Sequence, residues 1–265
     1  MNSEKLLEVS QVNKYYHGPL GAKIKVLENV SFSINENVNE KIVSILAPFG
    51  SGKTTLMKIV SALDDSFDGN VNVKGEKYSS PDGRIIFIPE KPSSFLWFNV
   101  KDNIEFIKRN SKNRSEQKTD EIISQVGLSG YENHHVHSES YGFRFRISLA
   151  CALAVNPCII IIDDSLKMMD HITRKEIYDL LIQLSKDINT KFLISTTNIT
   201  EAILLSDKII LMKKQPGRVF HELLVEKEWK DKTDSEKGEK IHQIKNEIMK
   251  IFKTEKIAND LSFSV

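Results

Sequence analysis

Ala47-Pro48-Phe49-Gly50-Ser51-Gly52-Lys53-Thr54-Thr55 lies between an apolar run, Ile42 to Leu46, and a helical pattern from Leu56 to Leu63. A strand-length apolar run, a Gly-Ser loop and an amphipathic helix read as a strand, phosphate loop and helix, which implies binding of a nucleoside triphosphate. Such a loop turns successive backbone N–H groups inward as an anion nest and aims the following helix dipole at the phosphates. Lys53 reaches the β and γ phosphates in this reading, and the Thr54 hydroxyl ligates Mg²⁺. The first glycine of the GxxxxGK[ST] pattern is replaced by Ala47, whereas Gly50 and Gly52, nearest the phosphates, are kept.

The 265 residues suffice for a large core of α/β type with a smaller inserted or appended unit. With 37 basic and 36 acidic residues the formal net charge is +1, so no global field holds nucleic acid or an anionic membrane. Partners are therefore recognised by shape. The longest apolar runs are strand-length and Met1 to Lys5 lack the plan of a signal peptide, so the chain is expected in the cytosol or held at a membrane by other subunits. Cys151 and Cys158 both lie in apolar segments and read as buried free thiols. His134, His135 and His137 sit in a polar loop and read as solvated surface rather than a zinc site.

Leu6 to Val12 and Val26 to Ile34 alternate apolar and polar positions, as antiparallel strands do. Asp68-Gly69-Asn70 reads as a turn, Val71 to Val73 as a short strand, and Arg84 to Ile88 as a buried strand ending at Pro89. The stretch from Val100 to Ser138 reads as mostly helical, and a helix over Ile147 to Val155 stops at Asn156-Pro157. Cys158 to Ile162 is a central strand followed by two carboxylates, Asp163 and Asp164. A helix through Leu184, strands at Lys191 to Ser195, Ile209 to Met212 and Val219 to Val225, and a turn at Gln215 to Arg218 complete the alternation. Lys227 to Gly238 reads as a linker to a last helix with Ile241, Ile244, Ile248 and Ile251 on one stripe, suited to core or lid packing.

A phosphate loop followed about 110 residues later by an apolar strand ending in Asp resembles the nucleotide-binding subunit of an ABC transporter. Phe95-Leu96-Trp97-Phe98-Asn99-Val100-Lys101-Asp102-Asn103-Ile104 and Pro216-Gly217-Arg218 are similar to segments of the ATPases of nitrate, sulfonate and taurine importers. The resemblance covers roughly Leu6 to Val225 and implies the ABC-ATPase form of the phosphate-loop fold, with a mostly parallel core sheet, an antiparallel β layer and a helical subdomain. It implies an ATP-binding domain over 1–225 with the helical part inserted at about 100–155, then a linker and C-terminal helix over 226–265. By this likeness Tyr16, with Tyr15 as the alternative, stacks on adenine. Ala47 to Thr55 cradle ATP, and Thr54, Glu90 and Asp163 hold Mg²⁺. The implied partners are transmembrane permease subunits, a second ABC ATPase of the same or a different chain and, indirectly, an extracytoplasmic substrate-binding protein, with no nucleic acid. The implied location is peripheral, on the inner face of the cell membrane.

Four positions depart from the family pattern. Glu90 stands where the family has Gln, adding a negative charge beside the γ-phosphate. Asp164 replaces the catalytic Glu and is shorter by roughly 1.5 Å, one carbon–carbon bond, although a general base must reach its water. Thr197 stands where a switch His is expected and lacks the reach and charge of imidazole. The signature falls at Glu139 to Phe143, of which Ser140 and Gly142 survive around a bulky Tyr141. Each composite site of the family's dimer takes its signature from the opposite chain, so a pair with an intact partner puts one kind of defect in each site. The expected activity is ATP binding with slow hydrolysis in an importer. A regulatory cassette that binds ATP and contributes little catalysis is the alternative, and a soluble ABC protein acting on ribosomes or DNA is disfavoured by the absence of a tandem repeat, a long heptad array or a basic patch.

Overall fold

The computed structural model describes residues 4–18, 21–36, 39–136, 139–226 and 234–255. Along the chain run β1 (Lys5–His17), β2 (Lys23–Asn35), β3 (Ile42–Leu46), α1 (Lys53–Val60), β4 (Asp68–Val73), β5 (Glu76–Lys77), β6 (Ile85–Ile88), α2 (Val100–Asn110), α3 (Thr119–Gln125) and α4 (Tyr141–Leu153). There follow β7 (Ile159–Asp163), α5 (His171–Asp187), β8 (Lys191–Thr196), α6 (Ile199–Leu205), β9 (Lys208–Lys213), β10 (Arg218–Leu224) and α7 (Asp234–Thr254). The chain forms two units, Met1–Ser80 with Ile194–Val265, and Pro81–Leu193.

In the first unit an antiparallel sheet of order β2-β1-β4-β5 is built from the alternating segments. Leu7 and Val9 face the core on β1 and pair with Ile34 and Phe32 of β2. The expected turn at Asp68 to Asn70 is instead the start of β4. Gly69 (φ +111) passes so close to β1 that a Cβ there would lie 2.6 Å from the Gln11 carbonyl oxygen, beside a register shift between Ser10 and Asn13. The glycine thus marks a close backbone approach at a bulge rather than a reversal.

The same unit holds β3, which is buried at every position and pairs parallel with β9; burial on both faces explains its mostly apolar sequence, and its one polar residue, Ser44, accepts a hydrogen bond from the Ser206 hydroxyl at 2.5 Å. β10 pairs antiparallel with β9. Helix α7 begins at Asp234, inside the stretch read as a linker, whose residues 227–233 lie outside the described ones. Its stripe packs on α6: Ile244, Ile248 and Phe252 share a cluster with Ile199, Ala202, Ile203, Ile209, Leu211 and Val225, while Ile241 and Ile251 flank it. This is core packing, and Phe252 rather than Ile251 is the deep residue.

The second unit contains the parallel pair β6 and β7, registered from Ile85↔Ile159 to Ile88↔Ile162. Asn99 caps α2 by accepting from the Asp102 N–H at 2.7 Å. Helix α4 starts at Tyr141, six residues before the expected Ile147, because the Ser140 hydroxyl caps it by accepting from the Phe143 N–H. Both cysteines are free and half-buried, more open than expected, although burial pushes the Cys151 thiol up to about 12. His134 lies 2.6 Å from Glu139 and against the Tyr131 and Phe143 rings, and His137 lies outside the described residues.

Candidate functional site: a phosphate cradle and a carboxylate cluster

In the first unit β3 delivers the chain to the phosphate loop. Ala47 is fully buried, has none of the left-handed backbone that would demand glycine, and donates its N–H to the Thr196 carbonyl at 3.2 Å. That geometry is why a methyl is tolerated there. Gly50 (φ +76) and Gly52 (φ +84) do adopt the left-handed region, and a Cβ on Gly52 would sit 2.9 Å from Leu27 Cδ2. Gly52 caps α1 without a side-chain acceptor, and the helix N-terminus opens onto the loop. Lys53 is 6 % exposed and donates to the Ala47 and Pro48 carbonyls at 3.0 and 3.2 Å. The Ser51 Oγ is buried with no hydrogen-bond partner. A helix N-terminus, a loop-bound ammonium and an orphaned hydroxyl make a preformed cradle that fits phosphate. Exposed Phe49 and Thr54, half-buried Thr55 and buried Pro48 complete the loop.

A residue that the sequence marked only by likeness braces this loop. Gly217 donates its N–H to the Val26 carbonyl at 2.8 Å and accepts from the Glu28 N–H at 3.0 Å. Arg218 pairs with Glu28. A Cβ on Gly217 would lie 2.2 Å from the Ser51 carbonyl oxygen and 2.3 Å from Met212 Cε. Gly217→Ala is therefore expected to displace the loop at Ser51, destabilise the chain by about 1–3 kcal/mol as overpacking does, and weaken ATP binding severalfold. Thermal unfolding together with an ATP titration checks both.

Tyr16 is 44 % exposed on β1, with the Lys14 ammonium 5.0 Å from its ring centre. Lys14 is buried by its ion pair to Asp64 at 2.6 Å and its bond to the Ser66 carbonyl. Tyr15 points to the other strand face and is flanked by the Lys23 and Lys25 ammoniums at 4.2 and 5.3 Å. Thr197 is almost buried between β8 and α6, next to Asn198, whose side chain caps α6 by accepting from the Glu201 N–H at 3.0 Å.

In the second unit the parallel register of β6 and β7 brings Glu90 and Asp163-Asp164 out at the same C-terminal edge, where α/β sheets place ligand groups. Asp163 is buried. Asp164 has φ +53, a left-handed backbone that Asp tolerates better than most residues. The Ser165 hydroxyl donates to the Pro89 carbonyl at 2.8 Å and ties the two strand ends. Lys167, which the sequence reading overlooked, lies 2.8 Å from Glu90 Oε1 and 3.5 Å from Asp164 Oδ2. Burial disfavours its charge, but the Glu90 hydrogen bond and the two carboxylates outweigh that and hold its pKa above the usual lysine value. The only sequence signal was a lysine three residues beyond Asp164. Hydroxyl and carboxylate oxygens of Thr54, Glu90 and Asp163 are the donor types that magnesium takes.

Around the signature, the Ser140 hydroxyl is engaged with its own helix. The Tyr141 hydroxyl donates to the Glu90 carbonyl at 3.4 Å, and the Arg144 guanidinium lies 5.1 Å from the Tyr141 ring centre. A Cβ on Gly142 would meet Thr173 Cγ2 at 2.3 Å, so glycine is needed there for packing.

These features define an α/β nucleotide-binding cassette of the phosphate-loop class. The family model described as ABC transporter matches residues 27–167. An aliphatic sulfonates import ATP-binding protein of Pseudomonas syringae pv. tomato is 34% identical over 76% of this chain and 81% of its own length. A taurine import ATP-binding protein of Ruegeria pomeroyi is 29% identical over 82% of this chain and 81% of its own. Among solved structures, the dimeric bacterial ABC transporter cassette MJ0796 is 26% identical with a TM-score of 0.71, covering 83% of this chain and 99% of that one. A post-hydrolysis dimer of the same cassette bound to ADP and Pi gives a TM-score of 0.70 at 25% identity, with the same coverage. The chain belongs to the ABC transporter family.

Proposed function

We propose that this chain is the ATP-binding subunit of an importer, coupling ATP binding and slow hydrolysis to movement of membrane permease subunits. The observation that carries the reading is the preformed phosphate cradle, with Gly50 and Gly52 left-handed, Lys53 within the loop and Ser51 Oγ unpartnered. Lys53 and the first-turn amides of α1 bind the phosphates, and Tyr16 offers its exposed ring to adenine. Thr54, Glu90 and Asp163 would hold Mg²⁺, which neutralises phosphate charge when bound. Asp164 is the group available to accept a proton from water, and its short side chain, its contact with Lys167 and the absence of a histidine at Thr197 all slow that step.

An apolar patch in the second unit supports docking to a permease. Phe95, Trp97, Phe98 and Phe106 form a ring cluster in which Trp97 is 70 % exposed. Beside it lies a cleft of about 310 Å³ lined by residues including Ile88, Phe95, Ile107, Ser148 and Val155. Among the described residues no helix is long and apolar enough to cross a membrane, which suits a peripheral subunit on the inner face. A second ATPase, of this chain or another, completes the engine, and a substrate-binding protein acts indirectly through the permease.

A second reading, a regulatory cassette that binds ATP without useful turnover, draws on two observations: Glu90 is held by both Lys167 and Tyr141, and Ser140 is spent on its own helix. Native mass spectrometry of the complex purified through this chain tests the proposal. The expected composition is permease subunits with two ATPase subunits, either two copies of this chain or one beside an ATPase with intact motifs. Absence of any membrane subunit would overturn it.

A further inference from the structure

Glu90 adds a negative charge to an edge that already carries Asp163 and Asp164, and polyanionic ATP must approach that edge if the function proposed above holds. Lys167, in the same unit, supplies a compensating positive charge. Lys167 Nζ is 2.8 Å from Glu90 and 3.5 Å from Asp164, so a single ammonium spans both carboxylates.

The loop that presents this lysine is built rather than loose. The Arg174 guanidinium donates to the carbonyls of Leu166 at 3.2 Å, Lys167 at 3.2 Å and Met169 at 2.7 Å. Asp170 closes the loop by capping α5, accepting from the Ile172 and Thr173 N–H groups at 3.0 Å each. On the opposite side Glu90 is fixed through its own carbonyl by Tyr141, and the preceding Pro89 carbonyl by Ser165. Both backbone segments that carry the ion contact are therefore anchored, so pairing costs side-chain freedom but little backbone freedom.

We propose that Lys167 is a positioning residue that clamps Glu90 to Asp164 and cancels the charge of Glu90, so that a site with an extra carboxylate still accepts ATP. The inference rests on the ATP-binding reading for its functional consequence, whereas the clamp itself stands without nucleotide.

The test uses the full chain with Lys167→Met, Glu90→Gln, the double variant and Lys167→Arg, and reads affinity for a fluorescent ATP analogue and thermal unfolding without nucleotide. Lys167→Met should weaken analogue binding roughly three- to tenfold, an amount typical of a partly screened charge. In the Glu90→Gln background the same change should cost less than about twofold, and Lys167→Arg should bind like the parent. An equal loss in both backgrounds, or no loss in either, would overturn the proposal. If the parent chain binds no analogue, the ATP-binding reading fails by itself. Unfolding still judges the clamp: non-additive shifts for the Glu90 and Lys167 changes support it, and additive shifts overturn it.

Discussion

Lys53→Ala is expected to weaken ATP binding by about 100-fold or more, the loss that follows from removing a charge-assisted contact worth about 3 kcal/mol. The ammonium already sits within the loop, bonded to the Ala47 and Pro48 carbonyls, so it is preorganised and only has to exchange these acceptors for phosphate oxygens. Losing those two bonds should also lower unfolding stability by about 1–3 kcal/mol, because the Ala47 and Pro48 carbonyls are buried and lose their donor. Isothermal titration with ATP beside a thermal melt separates the two effects. A variant that folds and retains parental affinity would remove the cradle from the binding mechanism.

Asp164→Glu combined with Thr197→His should raise ATP turnover roughly 100-fold, the lower end of the range over which a correctly placed acid–base group acts. The longer carboxylate restores reach to the attacking water, and the imidazole restores a hydrogen-bonding group with range and charge. The gain carries a stability cost. Asp164 has φ +53, and a glutamate in that left-handed backbone is less favourable by about 1 kcal/mol, so the double variant should melt at a lower temperature. Steady-state phosphate release with and without the permease checks the outcome. Unchanged turnover and unchanged transport would favour the regulatory cassette.

The phosphate loop was legible because its chemistry is local: glycines, lysine and hydroxyls at fixed spacing dictate one backbone. The strands β3, β7 and β9 were legible for a similar reason, since burial on both faces leaves a run that is almost wholly apolar, Ser44 of β3 excepted. Gly69 was misread because glycine next to Asp and Asn signals a turn, and the backbone that crowds it belongs to Gln11, distant in sequence. The start of α4 was missed because Tyr141 to Phe145 lack a clear apolar period, while a single serine cap sets the boundary. Lys167 escaped because its meaning lies in Glu90, 77 positions earlier, and only the parallel register of β6 and β7 brings the two segments together. Gly217 was marked only as part of a turn and of the family likeness, since its constraint, the Ser51 carbonyl, lies far off in sequence.

The segment from Pro89 to Phe95 is fastened at both ends and once between: Ser165 on the Pro89 carbonyl, Lys167 and Tyr141 on Glu90, Ser148 on the Ser93 carbonyl, and Asn103 on both the N–H and the carbonyl of Phe95. A strip of backbone fastened at both ends and once between has less slack than a free loop. If the proposed permease docks at the Trp97 end, a push there should reach Glu90 as displacement rather than be lost to local bending. The price of such stiffness is that the strip cannot adjust to a badly seated partner, which makes correct docking a condition for any signal to pass.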